Sequence, residues 1–298
     1  MKMIRCLFSS LVLPTLLFSG MLRAGETQPI AKPGLPLLQL VSDVSKVRPG
    51  EDFTVGLFMH HAAGFHTYWK GPGVVGVATT FKWHLPDGFS AGKVQWPAPR
   101  RTLMASLIAY GYETDTCLMT RMSVPEKLNA DTVTIAVRCG WMACARSCHP
   151  GWHDFALTLP VDHSGEEDNI DRKWAGVFEA NRKRLPVPAP RDWSFTPSEL
   201  AEDRIALQMD THGARIERPE SVYFFSYDNQ VDSDEPQKIT ASADGTKITF
   251  DLARPEFAPE NPDSLAGVIY HPDGWPGLGT KWLILKAPWK KGGKPDKE

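Results

Sequence analysis

The sequence has 298 residues, a formal net charge of −2 at pH 7 and five cysteines. This charge balance gives no basic surface for nucleic acid, so we expect no nucleic-acid partner. The length exceeds the roughly 100 residues of one β-sandwich and suits two domains.

The N-terminal segment has the pattern of a secretory signal peptide. Lys2 and Arg5 precede a mostly apolar stretch, Leu7–Met21, that is too short to span a bilayer comfortably. Cleavage after Ala24 removes Lys2, Arg5 and Arg23, so the formal net charge changes from −2 to −5. We therefore predict an exported, soluble, periplasmic protein from which residues 1–24 are removed.

Residues 25–161 are predicted to form a first antiparallel β-sandwich domain. Short runs of β-branched and aromatic residues alternate there with turn residues, such as Leu85-Pro86-Asp87-Gly88. The tryptophans expected in its core are Trp69, Trp83, Trp96 and Trp141. The predicted strands are Leu37–Lys46, Phe53–Met59, Thr79–His84, Val94–Trp96, Tyr112–Val124, Thr132–Trp141 and Phe155–Leu159.

A different composition follows at residues 162–191, which are predicted to be a linker. Asp171–Arg184 has the apolar face of a helix, and Leu185–Pro190 is Pro-rich and extended. Residues 192–288 are predicted to be a second β-sandwich domain without cysteine, and residues 289–298 a disordered tail. The strands predicted in the second domain are Ile205–Met209, Ser221–Phe225, Gln237–Ser242, Lys247–Leu252, Leu265–Ile269 and Lys281–Leu285.

Four cysteines remain after the signal peptide and its Cys6 are removed. An even number in an exported chain favours disulfides, and four cysteines allow three pairings. These residues are Cys117, Cys139, Cys144 and Cys148.

One pairing follows from a predicted hairpin. If the chain turns at Pro125–Asp131, the register that places Val124 opposite Thr132 also places Cys117 opposite Cys139. Cys139 would share its strand face with apolar residues. We therefore predict a buried structural disulfide between Cys117 and Cys139.

The other two cysteines have a different character. A bridge between Cys144 and Cys148 closes only five residues and stabilises by roughly 2 kcal/mol, so it is a weak staple. Arg146 lies between the thiols and His149 follows them. Because positive charge favours the reactive thiolate, this pair is predicted to exchange disulfides. Cys148 lies at the turn and Cys144 nearer the strand end, so Cys148 is predicted to be the more accessible, attacking thiol. A second structural disulfide is the alternative.

Metal binding is a further alternative. Cys144, Cys148, His149 and His153 have soft thiolate and imidazole ligands that suit Cu(I) or Zn(II). The spacing matches no common zinc module, so we predict no resident metal and no cofactor. A copper- or partner-binding protein without redox turnover remains the alternative function.

Several segments, in order, resemble a known family. They are Gly64–Gly73, Trp96–Pro99, Tyr110–Glu113 and Trp141–Gly151, with Val222–Phe225 and Leu265–Val268 further on. These segments are similar to the N-terminal periplasmic region of the thiol:disulfide interchange protein DsbD, and closest to its ScsB-like branch.

The resemblance implies immunoglobulin-like sandwiches and a redox-active cysteine pair. Cys148 and Pro150 match the family's second cysteine and the proline after it, and Cys144 matches the first cysteine of the ScsB-like branch. Tyr110 and Tyr112 fall in a matching segment and are predicted to support the site.

Arg100–Ala109 occupies the place of the family's cap loop, which shields the cysteine pair. It lacks the acidic and aromatic residues of the DsbD cap. We find neither a membrane electron-conducting domain nor a thioredoxin-like domain in the sequence. The expected partners are therefore a membrane-embedded DsbD/ScsB-type electron donor and a thioredoxin-like periplasmic acceptor.

Overall fold

The structure, a computed structural model, describes residues 24–31, 35–165, 168–259 and 262–289. Four sheets, two in each half of the chain, form two successive β-sandwich domains, which confirms the predicted all-β, immunoglobulin-like class. Most of the predicted signal peptide and tail lies outside the described residues. Within those residues, no helix is long and apolar enough to cross a membrane.

The first domain is a pair of sheets packed face to face. One sheet has the strand order β1-β2-β8-β5, and the other has the order β10-β9-β3-β7-β6, with β4 also paired to β9. The strands are β1 (Leu37–Ser42), β2 (Phe53–His60), β3 (His66–Gly73), β4 (Thr80–His84), β5 (Ser90–Ala91), β6 (Arg100–Met104), β7 (Leu107–Tyr112), β8 (Thr116–Ser123), β9 (Thr132–Cys144) and β10 (Cys148–Pro160).

Strand β9 shows why this sequence makes a half-buried strand. Val133, Ile135, Val137 and Cys139 alternate with more exposed residues, and all four lie in the core between the sheets. A strand places every second side chain on one face, so this period of two buries one face and leaves the other accessible. Trp69 is fully buried in the same core, while Trp83, Trp96 and Trp141 pack against it partly buried.

The hairpin predicted between β8 and β9 is wrong. Strand β8 pairs with β2, so Cys117 lies opposite Phe58, and both are in the sheet that does not contain Cys139. Leu118 and Met122 take the face toward the inter-sheet core. Because side chains alternate, Cys117 then points to the outer face of its sheet.

That outer face is covered by the helix that follows the first domain. The predicted helix is present as α1 (Ala175–Arg182), shorter than expected. Phe178 is buried in a cluster with Cys117, and the Asn181 side-chain oxygen accepts a hydrogen bond from the Cys117 N–H at 3.1 Å. The predicted linker therefore carries a helix that packs on the first domain.

The second domain repeats the two-sheet arrangement. Its sheets have the orders β11-β18-β17-β14 and β12-β13-β16-β15, and β11 pairs with β18 in parallel, so the Pro-rich segment joins this domain's sheet. The strands are β11 (Val187–Pro188), β12 (Ser194–Ala201), β13 (Arg204–Asp210), β14 (Tyr223–Ser226), β15 (Lys238–Ala241), β16 (Lys247–Ala253), β17 (Ser264–Tyr270) and β18 (Trp282–Pro288), with a short 3₁₀ helix at Pro219–Ser221.

Aromatic side chains join the two domains. Trp69 of β3 lies 6.4 Å from the Phe225 ring and 5.3 Å from the Tyr227 ring, between centroids. Phe225 and Val268 belong to the same buried cluster as the core of the first domain. The two sandwiches therefore share apolar packing where β3 and β7 meet β14.

Some elements differ from the sequence prediction. Val94–Trp96 is not a strand and forms a single bridge, between Gln95 and Met119. Strand β3 was not predicted, because its Lys70-Gly71-Pro72-Gly73 end reads as a turn. In the fold this stretch lies against the second domain, and a Cβ on Gly71 would meet the Ser226 carbonyl oxygen at 2.5 Å.

Candidate functional site

A disulfide closes the tip of the β9–β10 hairpin. Cys144 ends β9 and Cys148 begins β10, and the two lie directly opposite each other with their Cα atoms 4.3 Å apart. The connecting turn is Ala145-Arg146-Ser147, in which the Ala145 N–H donates to the Ser147 carbonyl at 3.1 Å. Regular pairing of the long hairpin thus brings the two sulfurs together.

The two sulfurs differ in exposure. Cys144 is 0% exposed and packs in a small cluster with Tyr68 and Ala109. Cys148 is exposed at the start of β10. This is the difference in access predicted from the sequence. Among the described residues, the bonded pair is therefore accessible at Cys148 and buried at Cys144.

A second hairpin lies over the exposed sulfur. Strands β6 and β7 form this hairpin, which contains the predicted cap segment Arg100–Ala109, and Met104 lies opposite Leu107 at its tip. The Met104 Sδ is 3.7 Å from the Cys148 Sγ, and Met104 also packs against the Cys144 cluster. We call β6, its turn at Ala105–Ser106 and β7 the cap hairpin. The group of the cap hairpin that contacts Cys148 is the thioether of Met104.

Two residues beneath the disulfide were not singled out from the sequence. His66 of β3 lies opposite Cys144, and its Nε2 is 3.2 Å from the Tyr68 hydroxyl oxygen. Burial lowers the pKa of His66 and raises the pKa of Tyr68, so both are held neutral near pH 7. The sequence feature that could have identified His66 and Tyr68 is their spacing of two residues within Gly64–Gly73, which places both side chains on one face of a strand.

Three of the predicted supporting residues lie beside the disulfide. Arg146 is exposed in the turn between the cysteines. The His149 Nε2 is 2.9 Å from the Ser147 Oγ, and its ring centroid is 6.0 Å from that of Phe65. Pro150 is exposed and lies opposite Met142. These residues form the accessible rim of the hairpin tip.

The two predicted tyrosines lie in the core instead. Tyr110 is fully buried, and its hydroxyl is 3.1 Å from the Tyr223 hydroxyl of the second domain. The Tyr112 hydroxyl donates to the Pro97 carbonyl at 2.6 Å. Both are inward-facing positions of β7, so their hydroxyls stabilise the domain interface and the core rather than contact the cysteine pair.

Cys117 and Cys139 are free, buried thiols, so the predicted structural disulfide is wrong. They lie in different sheets and different clusters, with Cys117 under α1 and Cys139 in the inter-sheet core. Burial raises the pKa of Cys139 to about 12 and also raises that of Cys117. Neither thiol is disposed to react in the folded protein.

A groove of about 360 Å³ borders the hairpin beside the disulfide. It is lined by Trp141, His149, Pro150, Trp152 and His153 together with residues near the start of β1. Trp152 is 65% exposed there. Among the described residues, no group of three or more His, Cys, Asp or Glu side chains is placed to hold a metal. Cys144, Cys148, His149 and His153 therefore do not form such a group in the disulfide form.

Comparison with known families gives a match within the first domain. Residues 37–160 match the family "Thiol:disulfide interchange protein DsbD, N-terminal". None of the curated proteins compared with the chain matches it in sequence.

A solved structure shares the fold over both domains. It is the N-terminal periplasmic domain of ScsB from Proteus mirabilis, which is 16% identical, with a TM-score of 0.59, over 90% of this chain and 100% of that one. Residues 37–160 therefore match the DsbD N-terminal family, and both domains together have the fold of the ScsB N-terminal periplasmic domain.

Proposed function

We propose that this protein exchanges disulfides in the periplasm and relays two electrons through Cys144 and Cys148. The donor is a membrane-embedded protein of the DsbD/ScsB type, and the acceptor is a thioredoxin-like periplasmic protein. The observation that carries the proposal is a disulfide between an exposed and a fully buried cysteine at the end of a long β-hairpin. The signal-like segment at residues 1–24 supports export.

Reduction of the disulfide begins at the exposed sulfur. A donor thiolate attacks the Cys148 Sγ, the S–S bond breaks, and its electron pair leaves on the Cys144 Sγ, which takes a proton. A second donor thiol then attacks the donor sulfur of the mixed disulfide. Cys148 is released as a thiol, and the donor leaves as a disulfide with two electrons fewer.

Delivery to the acceptor runs the same steps in the other direction. The Cys148 thiolate attacks the acceptor disulfide, and Cys144 resolves the mixed disulfide by attacking Cys148. The acceptor leaves as a dithiol and the Cys144–Cys148 bond re-forms. Arg146, in the turn between the cysteines, places positive charge near Cys148 and favours its thiolate.

The exposed apolar residues near the tip suit a transient partner. Leu103 is 64% exposed and Leu107 is 37% exposed on the cap hairpin, whose tip contacts Cys148. Apolar surface around a reactive sulfur can dock a partner long enough for exchange without binding it permanently.

The test is a pair of single substitutions. Cys144→Ser leaves the exposed attacking sulfur without its resolver, so it should accumulate a mixed disulfide with an oxidised thioredoxin-like protein or periplasmic extract on a non-reducing gel. Cys148→Ser should trap little, because Cys144 is buried. The control lacking both sulfurs should trap nothing.

Two other outcomes would change the reading. Trapping by Cys148→Ser alone would reverse the roles of the two cysteines. If neither variant traps a partner, and the pair neither titrates in thiol/disulfide buffers nor turns over with a supplied donor, the exchange proposal is wrong. Tight stoichiometric Cu(I) uptake by the reduced protein would then favour a binding protein.

A further inference from the structure

We propose that the second domain sets the position of the cap hairpin, and thereby the access of an incoming thiol to Cys148, through Ser233 and Asp234. Both residues lie in the loop between β14 and β15 of the second domain, far along the chain from the cysteines. The inference rests on the proposed function for its biological meaning, but the access itself is measurable without any partner protein.

The contact is made at the backbone of one residue in the cap hairpin. The Ile108 N–H donates to the Asp234 Oδ1 at 2.8 Å, and the Ser233 Oγ donates to the Ile108 carbonyl at 2.6 Å. Ile108 is the neighbour of Leu107, which pairs with Met104 at the tip. The second domain therefore holds both polar groups of a residue that is next to the hairpin tip.

The same serine also fixes the end of β3, the strand next to the cap hairpin in the same sheet. The Ser233 Oγ accepts the Val74 N–H at 3.0 Å, just after β3. At Gly73, whose φ is 87°, an added Cβ would lie 2.3 Å from this Oγ. Ser233 is 0% exposed, so these hydrogen bonds are sheltered from water. The close approach leaves room for only a glycine at that point.

A third contact holds the base of the hairpin. The Tyr110 hydroxyl is 3.1 Å from that of Tyr223, and the Arg101 guanidinium carbon lies 5.2 Å from the Tyr223 ring centroid. Tyr110 and Arg101 face each other across β7 and β6. The hairpin is thus anchored to the second domain at its base and again one residue from its tip.

The anchored tip covers the reactive sulfur. Met104 lies across from Leu107 and brings its Sδ to 3.7 Å from the Cys148 Sγ. A thiolate must approach Cys148 along the line of the S–S bond, so a shift of Met104 changes how often the sulfur is open to attack. Loosening the contact at Ile108 should therefore speed attack on the disulfide.

The experiment measures reduction of the Cys144–Cys148 disulfide by dithiothreitol in the full mature protein. In this reaction dithiothreitol gives up two electrons and two protons and becomes its cyclic disulfide, while both cysteines become thiols. Asp234→Ala should raise the second-order rate constant roughly three- to tenfold, the range that one lost hydrogen bond of ordinary strength gives. Asp234→Asn keeps an Oδ1 acceptor and should restore most of the wild-type rate.

Two comparisons separate this role from general destabilisation. Glu235→Ala removes the same charge from the next residue, which is exposed, and should leave the rate unchanged. In a Met104→Ala background the cover is already lost, so Asp234→Ala should add no further acceleration.

Equal rates for wild type and Asp234→Ala would overturn the inference. So would an acceleration of the same size in the Met104→Ala background, because the effect would then not act through the cap. Failure of the trapping experiment with thioredoxin-like partners would leave these rates unaffected and would count against the proposed function alone.

Discussion

The strongest prediction concerns what the Cys144–Cys148 bond contributes to stability. The bridge closes a loop of five residues, and the chain-entropy relation assigns this about 2 kcal/mol. Twelve further residue pairs of the β9–β10 ladder hold the hairpin besides the cysteine pair, and Cys144 packs in a buried cluster with Tyr68 and Ala109. A domain stability of about 5–15 kcal/mol would survive this loss, so the reduced protein should stay folded.

Urea unfolding of the oxidised and reduced protein, followed by tryptophan fluorescence and circular dichroism, measures this difference. With an m value near 2 kcal/mol/M, the midpoint of the first domain should fall by about 1 M on reduction. The variant Cys144→Ala/Cys148→Ala is the control, and its midpoint should not respond to reductant. Unfolding on reduction, or a loss above about 4 kcal/mol, would refute the reasoning and make the bond a structural staple.

Three further outcomes are expected. In the reduced protein an alkylating reagent should modify Cys148 first. Cys117 and Cys139 should stay protected until the chain unfolds, because burial shields them and raises their pKa. Peptide mapping would measure the order of modification, and early modification of either buried thiol would contradict the prediction. Burial lowers the pKa of His61 to about 4, so between pH 6.5 and 4 the unfolded chain binds a proton that the folded protein does not. The free energy of unfolding should therefore fall by about 3 kcal/mol over that range and fall less in His61→Gln, as urea titrations at several pH values would show. Gly73→Ala should destabilise by about 1–2 kcal/mol from its left-handed backbone alone, and more from its clash at the domain interface, and an unchanged thermal midpoint would contradict this.

Local patterns in the sequence predicted part of this structure correctly. The alternation of Val133, Ile135, Val137 and Cys139 indicated a strand with one buried face, because a period of two is a property of a single strand and needs no partner. The position of Cys148 at a turn likewise predicted its exposure, because a turn is specified by residues within three or four positions of one another.

Pairing between strands was the part that local patterns could not give. The predicted hairpin register placed Cys117 opposite Cys139 without any conflict along the two strands. In the structure β8 instead pairs with β2, some sixty residues earlier, and the apolar side chains of β8 are buried in the core. The outer face of β8 then needs α1 to cover it. Which of several possible partners a strand takes depends on the total apolar surface buried by the whole domain, and no window of sequence contains that sum.

By itself the sequence determined the all-β class of the fold and singled out Cys144 and Cys148 as a closely spaced pair, because these follow from local periodicity, turn residues and spacing. Only the tertiary structure decided that Tyr110 faces the second domain, that Met104 contacts Cys148, and that Ser233 and Asp234 hold the cap hairpin. These contacts join residues from 44 to more than 100 positions apart. They exist because both sandwiches fold and pack together, so they depend on the three-dimensional arrangement and not on any nearby motif.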